Sequence, residues 1–252
     1  MKPGDFVWYE LCTTDTAAAA KFYAEVVGWT ITPSGLPGID YSLFCIEDRP
    51  IAGLMTLPPA EMPPHPVWFG YIAVDDVDAK AEQIEAACGA IYKAPQDIPT
   101  VGRFAVVTDP QQAVFMLFKG AGEPPPPLPP MQTGSIGWHS LLSKGLDESW
   151  NFYEHMFGWS KDTAHDMGPM GVYQVFKASD LPIGGMMTVK ETPRATWIYY
   201  FVVDDIDAGV ARVKANGGTV QMGPDPVPGG AWIINAQDPQ GGNFALVGMR
   251  AG

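Results

Sequence analysis

The sharpest chemical feature of this sequence is a carboxylate set among aromatic residues on an alternating strand. In FVWYELC (6–12) a period of two puts Trp8, Glu10 and Cys12 on one face. Desolvation beside an indole raises a carboxyl's pKa, and a carboxyl poised near neutrality is what a general base or acid requires. The competing reading pairs Glu10 with a basic side chain such as Arg103, or lets it reach the rim of the sheet. By the same alternation Tyr71 shares a face with Phe69, and Tyr200 with Ile198. Each tyrosine offers a ring for stacking and a hydroxyl donor, or else is a core residue with its hydroxyl satisfied. Tyr41 and Tyr173 form a second such pair. Asn235 and Gln237 stand on a strand where the first half has Val106 and Thr108, so they either hydrogen-bond a ligand or meet solvent.

Other reactive types are sparse. His65 lies in a proline-rich connector, His155 on a helix, and His165 beside Asp166 in a loop. His139 follows Trp138 on a strand, so alternation sends it to the opposite face, toward the helices. Cys12 sits on the Glu10 face, Cys45 on a strand, and Cys88 in a helix stripe. Three cysteines at no motif spacing argue against a disulfide framework and for a reducing cytoplasm. There is no G-x-S-x-G elbow, phosphate loop or dinucleotide fingerprint.

The elements that position these residues are written twice. GDFVWYELCTTDTAAAAKFYAEVVGW (4–29) aligns without a gap on GSIGWHSLLSKGLDESWNFYEHMFGW (134–159). A period of half the chain means two copies of one structural unit. Glu10 meets Ser140 in this alignment, so at most the first copy has the acid. Within the first half, Thr14 or Asp15 caps a helix with a stripe of Ala19, Phe22, Tyr23, Val26 and Val27, ended by Gly28. Strands follow at 29–32, 41–46 and 51–57. A second round begins with a strand at 67–74. Asp75 and Asp76 open a helix with Val77, Ala81, Ile84 and Cys88 inward, and Gly89 stops it. Strands then follow at 90–93, 103–108 and 113–118. Trp197, Tyr200, Asp204, Asp205, Gly218, Asp238 and Pro239 repeat Trp68, Tyr71, Asp75, Asp76, Gly89, Asp109 and Pro110, and Gly158 repeats Gly28. Proline-rich breaks fall at 58–66, 121–131 and 190–195; AGEPPPPLPPM reads as a stiff linker between the copies.

The chain of 252 residues carries a formal charge of −13, which repels phosphate backbones and acidic membrane surfaces. Nucleic acid and membrane are therefore not expected partners. No apolar run approaches the roughly 20 residues of a membrane span, and no signal peptide is evident.

Four strand–helix–three-strand units, with FY-x4-GW after the first strand, VDDVDA before the second helix and Asp-Pro-Gln before the last strand, resemble the vicinal oxygen chelate superfamily. That family includes glyoxalase I, extradiol dioxygenases and bleomycin-resistance proteins. The resemblance implies an α+β fold with two tandem glyoxalase-like domains, cup-shaped mixed sheets and helices on the outer face. The domains would span 1–120 (units 1–60 and 66–120) and 134–252 (units 134–190 and 195–252), joined by a linker at 121–133. It also suggests a fused version of the family's homodimer, so that a monomer suffices.

Enzymes of that family hold a divalent metal with His and Glu or Gln. The corresponding positions here are Trp8 and Trp138, Phe69 and Ile198, Met116 and Ala245, Leu54 or Met55, and Met186 or Met187. Indole, phenyl and thioether groups do not suit a hard or borderline cation, so neither metal nor cofactor is expected. The expected function is binding of a small, largely apolar or aromatic ligand by Trp8, Glu10, Phe69, Tyr71, Met116, Trp138, Ser140, Ile198, Tyr200 and Asn235. The alternative is a metal-independent lyase or isomerase related to lactoylglutathione lyase, with Glu10 as base and Tyr71 as donor to an oxyanion. A metal-dependent glyoxalase or dioxygenase ranks behind both.

Overall fold

The computed structural model describes residues 2–36, 38, 40–57 and 65–250. The expected proline-rich break at 58–66 lies, apart from His65 and Pro66, outside the described residues.

The first half runs β1 (Phe6–Thr13), α1 (Thr16–Val27), β2 (Thr30–Pro33), β3 (Tyr41–Ile46), β4 (Arg49–Thr56), β5 (Val67–Ala73), α2 (Val77–Ala86), β6 (Ala90–Ile98), β7 (Gly102–Thr108) and β8 (Val114–Gly120). The second repeats it as β9 (Ile136–Ser143), α3 (Leu146–Phe157), β10 (Ser160–Asp166), β11 (Val172–Lys177), β12 (Pro182–Thr188), β13 (Thr196–Asp205), α4 (Ile206–Ala215), β14 (Thr219–Pro226), β15 (Trp232–Gln237) and β16 (Asn243–Met249). Each half contributes one eight-stranded mixed sheet, ordered β2-β3-β4-β1-β5-β8-β7-β6 and β10-β11-β12-β9-β13-β16-β15-β14. The fold is thus the tandem α+β arrangement expected. Between β8 and β9 the proline-rich segment contains no helix or strand. No helix among the described residues is long and apolar enough to cross a membrane.

Local sequence accounts for the helix limits. Asp15, rather than Thr14, caps α1 by accepting from the Ala18 N–H at 2.9 Å. Asp76 and Asp205 do the same for α2 and α4. Gly28 and Gly158 take the left-handed conformation that stops α1 and α3. Gly89 and Gly218 do not act this way. The left-handed residues there are Cys88 (φ 66°) and Gly217 (φ 84°). Gly89 is needed because a Cβ would collide with the Thr108 carbonyl and Ile84, and at Gly218 one would come within 2.9 Å of Phe22 and Val213. Cys88 consequently leaves the helix and is exposed, not part of the buried stripe. Strand β6 also outruns its expected end at residue 93, continuing to Ile98.

Packing does not follow the halves as the sheets do. One compact unit comprises Met1–Val7, Phe69–Pro126 and His139–Trp197; the other comprises Trp8–Trp68, Pro127–Trp138 and Ile198–Gly252. Each unit therefore combines chain from both copies, and the duplicated framework residues are what join them. In one unit Trp68 Nε1 donates to the Tyr23 hydroxyl (2.8 Å), which donates to Asp238 (3.0 Å). In the other, Trp197 donates to Tyr153 (3.0 Å), which donates to Asp109 (3.2 Å). The second oxygen of each aspartate holds the turn before the last strand, accepting from Gln111 and Ala113 N–H or from Gln240 and Gly242 N–H. Trp29 Nε1 donates to the Gly134 carbonyl (2.7 Å), and Trp159 Nε1 donates to that of Gly4 (2.9 Å). Stacked and edge-on rings surround both relays, including Trp29, Phe44 and Phe201 in one and Trp159, Phe176 and Phe6 in the other.

Smaller contacts reinforce this cross-copy packing with different residues. Lys80 donates to the Met156 carbonyl and Arg212 to that of Val26, each placing a cation at the C-terminal end of a helix. Gly145 has no side chain to cap α3. Thr188 Oγ1 accepts from the first helical N–H, that of Leu146 (2.9 Å), and the Gln111 side-chain oxygen holds the approach to the helix by accepting from the N–H groups of Lys144 (2.6 Å) and Gly145 (3.1 Å).

Burial pushes the Asp109 carboxyl up to about 6 from 3.8, against the pull of its backbone and Tyr153 donors. A carboxyl raised in the folded state favours folding most below its unfolded pKa and loses that contribution as pH rises through the folded value. The loss amounts to about 3 kcal/mol across both values, close to half of it above pH 5. Asp109→Asn should remove this slope. Urea unfolding from pH 5 to 7.5 should show wild-type stability falling relative to the variant by about 1–1.5 kcal/mol; parallel curves would refute it.

Candidate functional site

The helices cover one face of each sheet, and the candidate residues lie on the other. On β1, Leu11 is fully buried on the helix side, while Trp8, Glu10 and Cys12 alternate away from it. Parallel pairing places Glu10 opposite Gly53 and Cys12 opposite Met55. Antiparallel pairing then sets Tyr41 opposite Met55 and Leu43 opposite Gly53. Of the two alternatives at 54 and 55, Met55 therefore joins the Glu10 face.

These residues form a hydrogen-bonded chain. Trp8 Nε1 donates to the Tyr41 hydroxyl at 3.1 Å. The Tyr41 hydroxyl in turn hydrogen-bonds the Glu10 carboxylate, and the Cys12 thiol donates to Glu10 Oε1 at 3.8 Å. Burial, then the neighbouring Glu10 charge, pushes the Tyr41 phenol well above its usual range, so it remains a donor. The same two causes push the Cys12 thiol up, which removes its nucleophilic form near neutral pH. The expected alternative partner, Arg103, is engaged elsewhere: its guanidinium forms a two-point pair with Asp78 (2.6 and 2.7 Å) and bonds Asp97 (2.9 Å).

Gly53 lets Tyr41 take this position. A Cβ there would occupy the space of the Tyr41 hydroxyl and ring. The second copy repeats the device, with Tyr173 over Gly185 and its hydroxyl 2.6 Å from Ser140 Oγ. Tyr41 and Gly53 are the site residues that sequence reasoning undervalued. The signal was present, since Tyr41/Tyr173 and Gly53/Gly185 both recur at equivalent positions.

The remaining candidates gather in three places. Phe69 and Tyr71 lie on β5, with Tyr71 paired to Met116 on β8 and its ring edge-on to Phe118 at 6.0 Å. Ile198 and Tyr200 lie on β13, Tyr200 paired to Ala245 and Ala245 to Asn235. Ser140 meets Tyr173 as described, and Trp138 is half-buried. Trp8 and Glu10 belong to one compact unit, and Phe69, Tyr71 and Met116 to the other. Glu10, Phe69, Tyr71, Met116, Ser140, Ile198 and Tyr200 are buried, whereas Trp8, Tyr41 and Asn235 are half-buried. Only these three and Trp138 can touch a ligand without neighbouring side chains moving.

His139 is on the helix side, as alternation requires. It stacks on Phe6 at 4.2 Å, and its Nδ1 lies 2.6 Å from the Ile183 carbonyl. Burial lowers its pKa to about 4, so it is a neutral donor at physiological pH. His155 is exposed on α3. Where the family resemblance puts metal ligands, Trp8, Met55, Phe69 and Met116 stand in the first half, and Trp138, Met187, Ile198 and Ala245 in the second. These side chains do not fit a divalent cation. Among the described residues no three His, Cys, Asp or Glu side chains gather as a metal site would require.

Two eight-stranded mixed sheets, each built from two βαβββ modules, define a glyoxalase-like class of protein. The chain belongs to the Glyoxalase/Bleomycin resistance protein/Dioxygenase superfamily, whose model matches residues 5–117 and again 135–246. It is 33% identical over 249 residues to "Putative glyoxylase CFP32" of Mycobacterium tuberculosis, covering 95% of this chain and 93% of that protein. It is 32% identical to the anthracycline biosynthesis protein DnrV of Streptomyces peucetius, covering 99% of this chain and 95% of that one. The Mn(II)-bound glyoxalase of Novosphingobium aromaticivorans shares the fold at a TM-score of 0.66 and 17% identity, over 99% of this chain and 83% of its own.

The Tyr41–Gly53 contact predicts a coupled pair. Gly53→Ala should destabilise by about 1–3 kcal/mol through overpacking against the ring. The same change in a Tyr41→Ala background should cost under about 0.5 kcal/mol. Denaturant unfolding of the four proteins measures the coupling, and additive effects would disprove the contact.

Proposed function

We propose that this chain binds a small, largely apolar or aromatic molecule on the sheet faces turned away from its helices, without a bound metal. The observation that carries this reading is the Trp8–Tyr41–Glu10 chain. It combines a half-buried indole for stacking with a fixed polar group for orientation, the usual make-up of a small-molecule site. The donor set at the family's metal positions supports a metal-independent role, because indole, thioether and phenyl groups replace imidazole and carboxylate. The name of DnrV, an anthracycline biosynthesis protein, supports a polycyclic aromatic ligand. In this reading domains 1–120 and 134–252, joined by 121–133, act within one polypeptide in the cytoplasm; the three free cysteines agree with that compartment.

A second reading makes the chain a metal-independent lyase or isomerase with Glu10 as base. It is favoured by the burial of that carboxylate beside two donors. In that case Tyr41, which already bonds Glu10, takes over the donor role first assigned to Tyr71.

Titration with anthraquinone, followed by tryptophan quenching and calorimetry, tests both. Binding should be saturable and weakened about tenfold or more by Trp8→Ala, the loss of one stacking surface. Glu10→Gln should leave affinity within about threefold if the site only binds, since a neutral amide still accepts from Tyr41. It should abolish turnover if Glu10 is a base. Stoichiometric Zn, Mn or Fe in the dialysed protein would overturn both readings.

A further inference from the structure

The two sheets differ where β15 replaces β7. In the first half Tyr71, Met116 and Val106 lie in register across β5, β8 and β7. In the second, Tyr200, Ala245 and Asn235 occupy the same places on β13, β16 and β15. All three point away from the helices, because their neighbours Phe201, Phe244, Ile234 and Ala236 fill the core on the other side. The exchange of Met116 for Ala245 removes most of a side chain, and Val106 for Asn235 inserts an amide. Val106 is 3% exposed, whereas Asn235 is half-buried; Tyr200 and Ala245 beside it are buried, so the second sheet opens at Asn235 where the first is closed.

The Asn235 amide is poised but unpaired. Its Oδ1 is buried and has no hydrogen-bond partner among the described residues. An unpaired buried amide oxygen is costly, and such groups in native proteins are nearly always satisfied from somewhere. Gln237, two residues on, shows the contrast: its side chain bonds the Gly241 carbonyl and Asn243. Asn235 is flanked by Ala245 on β16 and Met222 on β14, neither of which carries a side-chain donor for it.

Resting on the reading that these faces bind aromatic molecules, we propose that the Tyr200–Ala245–Asn235 face of the second sheet selects the ligand. The molecule it selects presents a hydroxyl or N–H group to the Asn235 side chain, and its ring takes the space over Ala245 as the side chains that cover that residue move aside. Tyr200 bounds the ring on the side of β13. Asn235 is then a specificity-determining residue, and the second sheet, which lacks the Glu10 carboxylate, is the one that discriminates by hydrogen bonding.

The test compares 2-naphthol with 2-methoxynaphthalene, which keeps the rings and loses the donor. Calorimetry on the full chain should show 2-naphthol binding about tenfold tighter, the usual worth of one buried hydrogen bond. Asn235→Leu should erase that preference while still binding the methoxy compound, and should melt at or above the wild-type temperature because no amide remains unpaired. Ala245→Met, which restores the first-sheet arrangement, should lose both compounds at this face. A preference that survives Asn235→Leu, or equal affinity of the wild type for both probes, would overturn the proposal and leave the general binding reading standing. Failure of both probes to bind would remove the two together.

Discussion

A tyrosine hydroxyl buried in an aromatic core must find an acceptor, and this requirement organises the molecule. Tyr23 and Tyr153 sit on the first helix of each copy, yet their acceptors, Asp238 and Asp109, come from the other copy. The tryptophans that end the same motif, Trp29 and Trp159, likewise give their N–H groups to glycine carbonyls of the opposite half. An unmade bond at any of these points would cost about 1–3 kcal/mol. Each compact unit is therefore closed by groups from both halves, whereas each sheet is made from one. Duplicated residues that look like independent landmarks along the chain are partners in two equivalent bonds.

Much of the fold was legible because periodicity and punctuation act locally. The α1 stripe of Ala19, Phe22, Tyr23, Val26 and Val27 is the buried set, and β3 begins and ends as its alternation requires. Alternation with Phe69 and Ile198 puts Trp68 and Trp197 on the helix side, where they meet Tyr23 and Tyr153. The departures have physical causes. Gly89 and Gly218 looked like helix stops, but they answer to crowding against distant atoms that no local pattern reports. Cys88 follows the last helical turn at a spacing that still fits the stripe, and only its left-handed backbone turns it outward. Strand β6 extends because β7 pairs with it, a decision made by the neighbour and not by its own polar sequence.

The candidate site was legible to a smaller degree. Alternation found the face and brought Trp8, Glu10 and Cys12 together. It could not show that Tyr41, two strands away, reaches across to hold Trp8 and Glu10 in one network, because that depends on sheet order and on the missing side chain at Gly53. Nor could it distinguish covered from accessible positions. Phe69 and Met116 read as lining residues on pattern alone, yet both are buried.

The crossed bonding also bears on how two copies of a gene can drift apart. Side chains such as those of Tyr23, Asp109 and Trp29 each serve a mate in the sister copy, so a change in either alone breaks a bond. The copies differ in chemistry on the faces turned from the helices, where Glu10 corresponds to Ser140 and Val106 to Asn235. Fusion thus leaves a single polypeptide with a shared scaffold held constant and two surfaces at liberty to specialise separately.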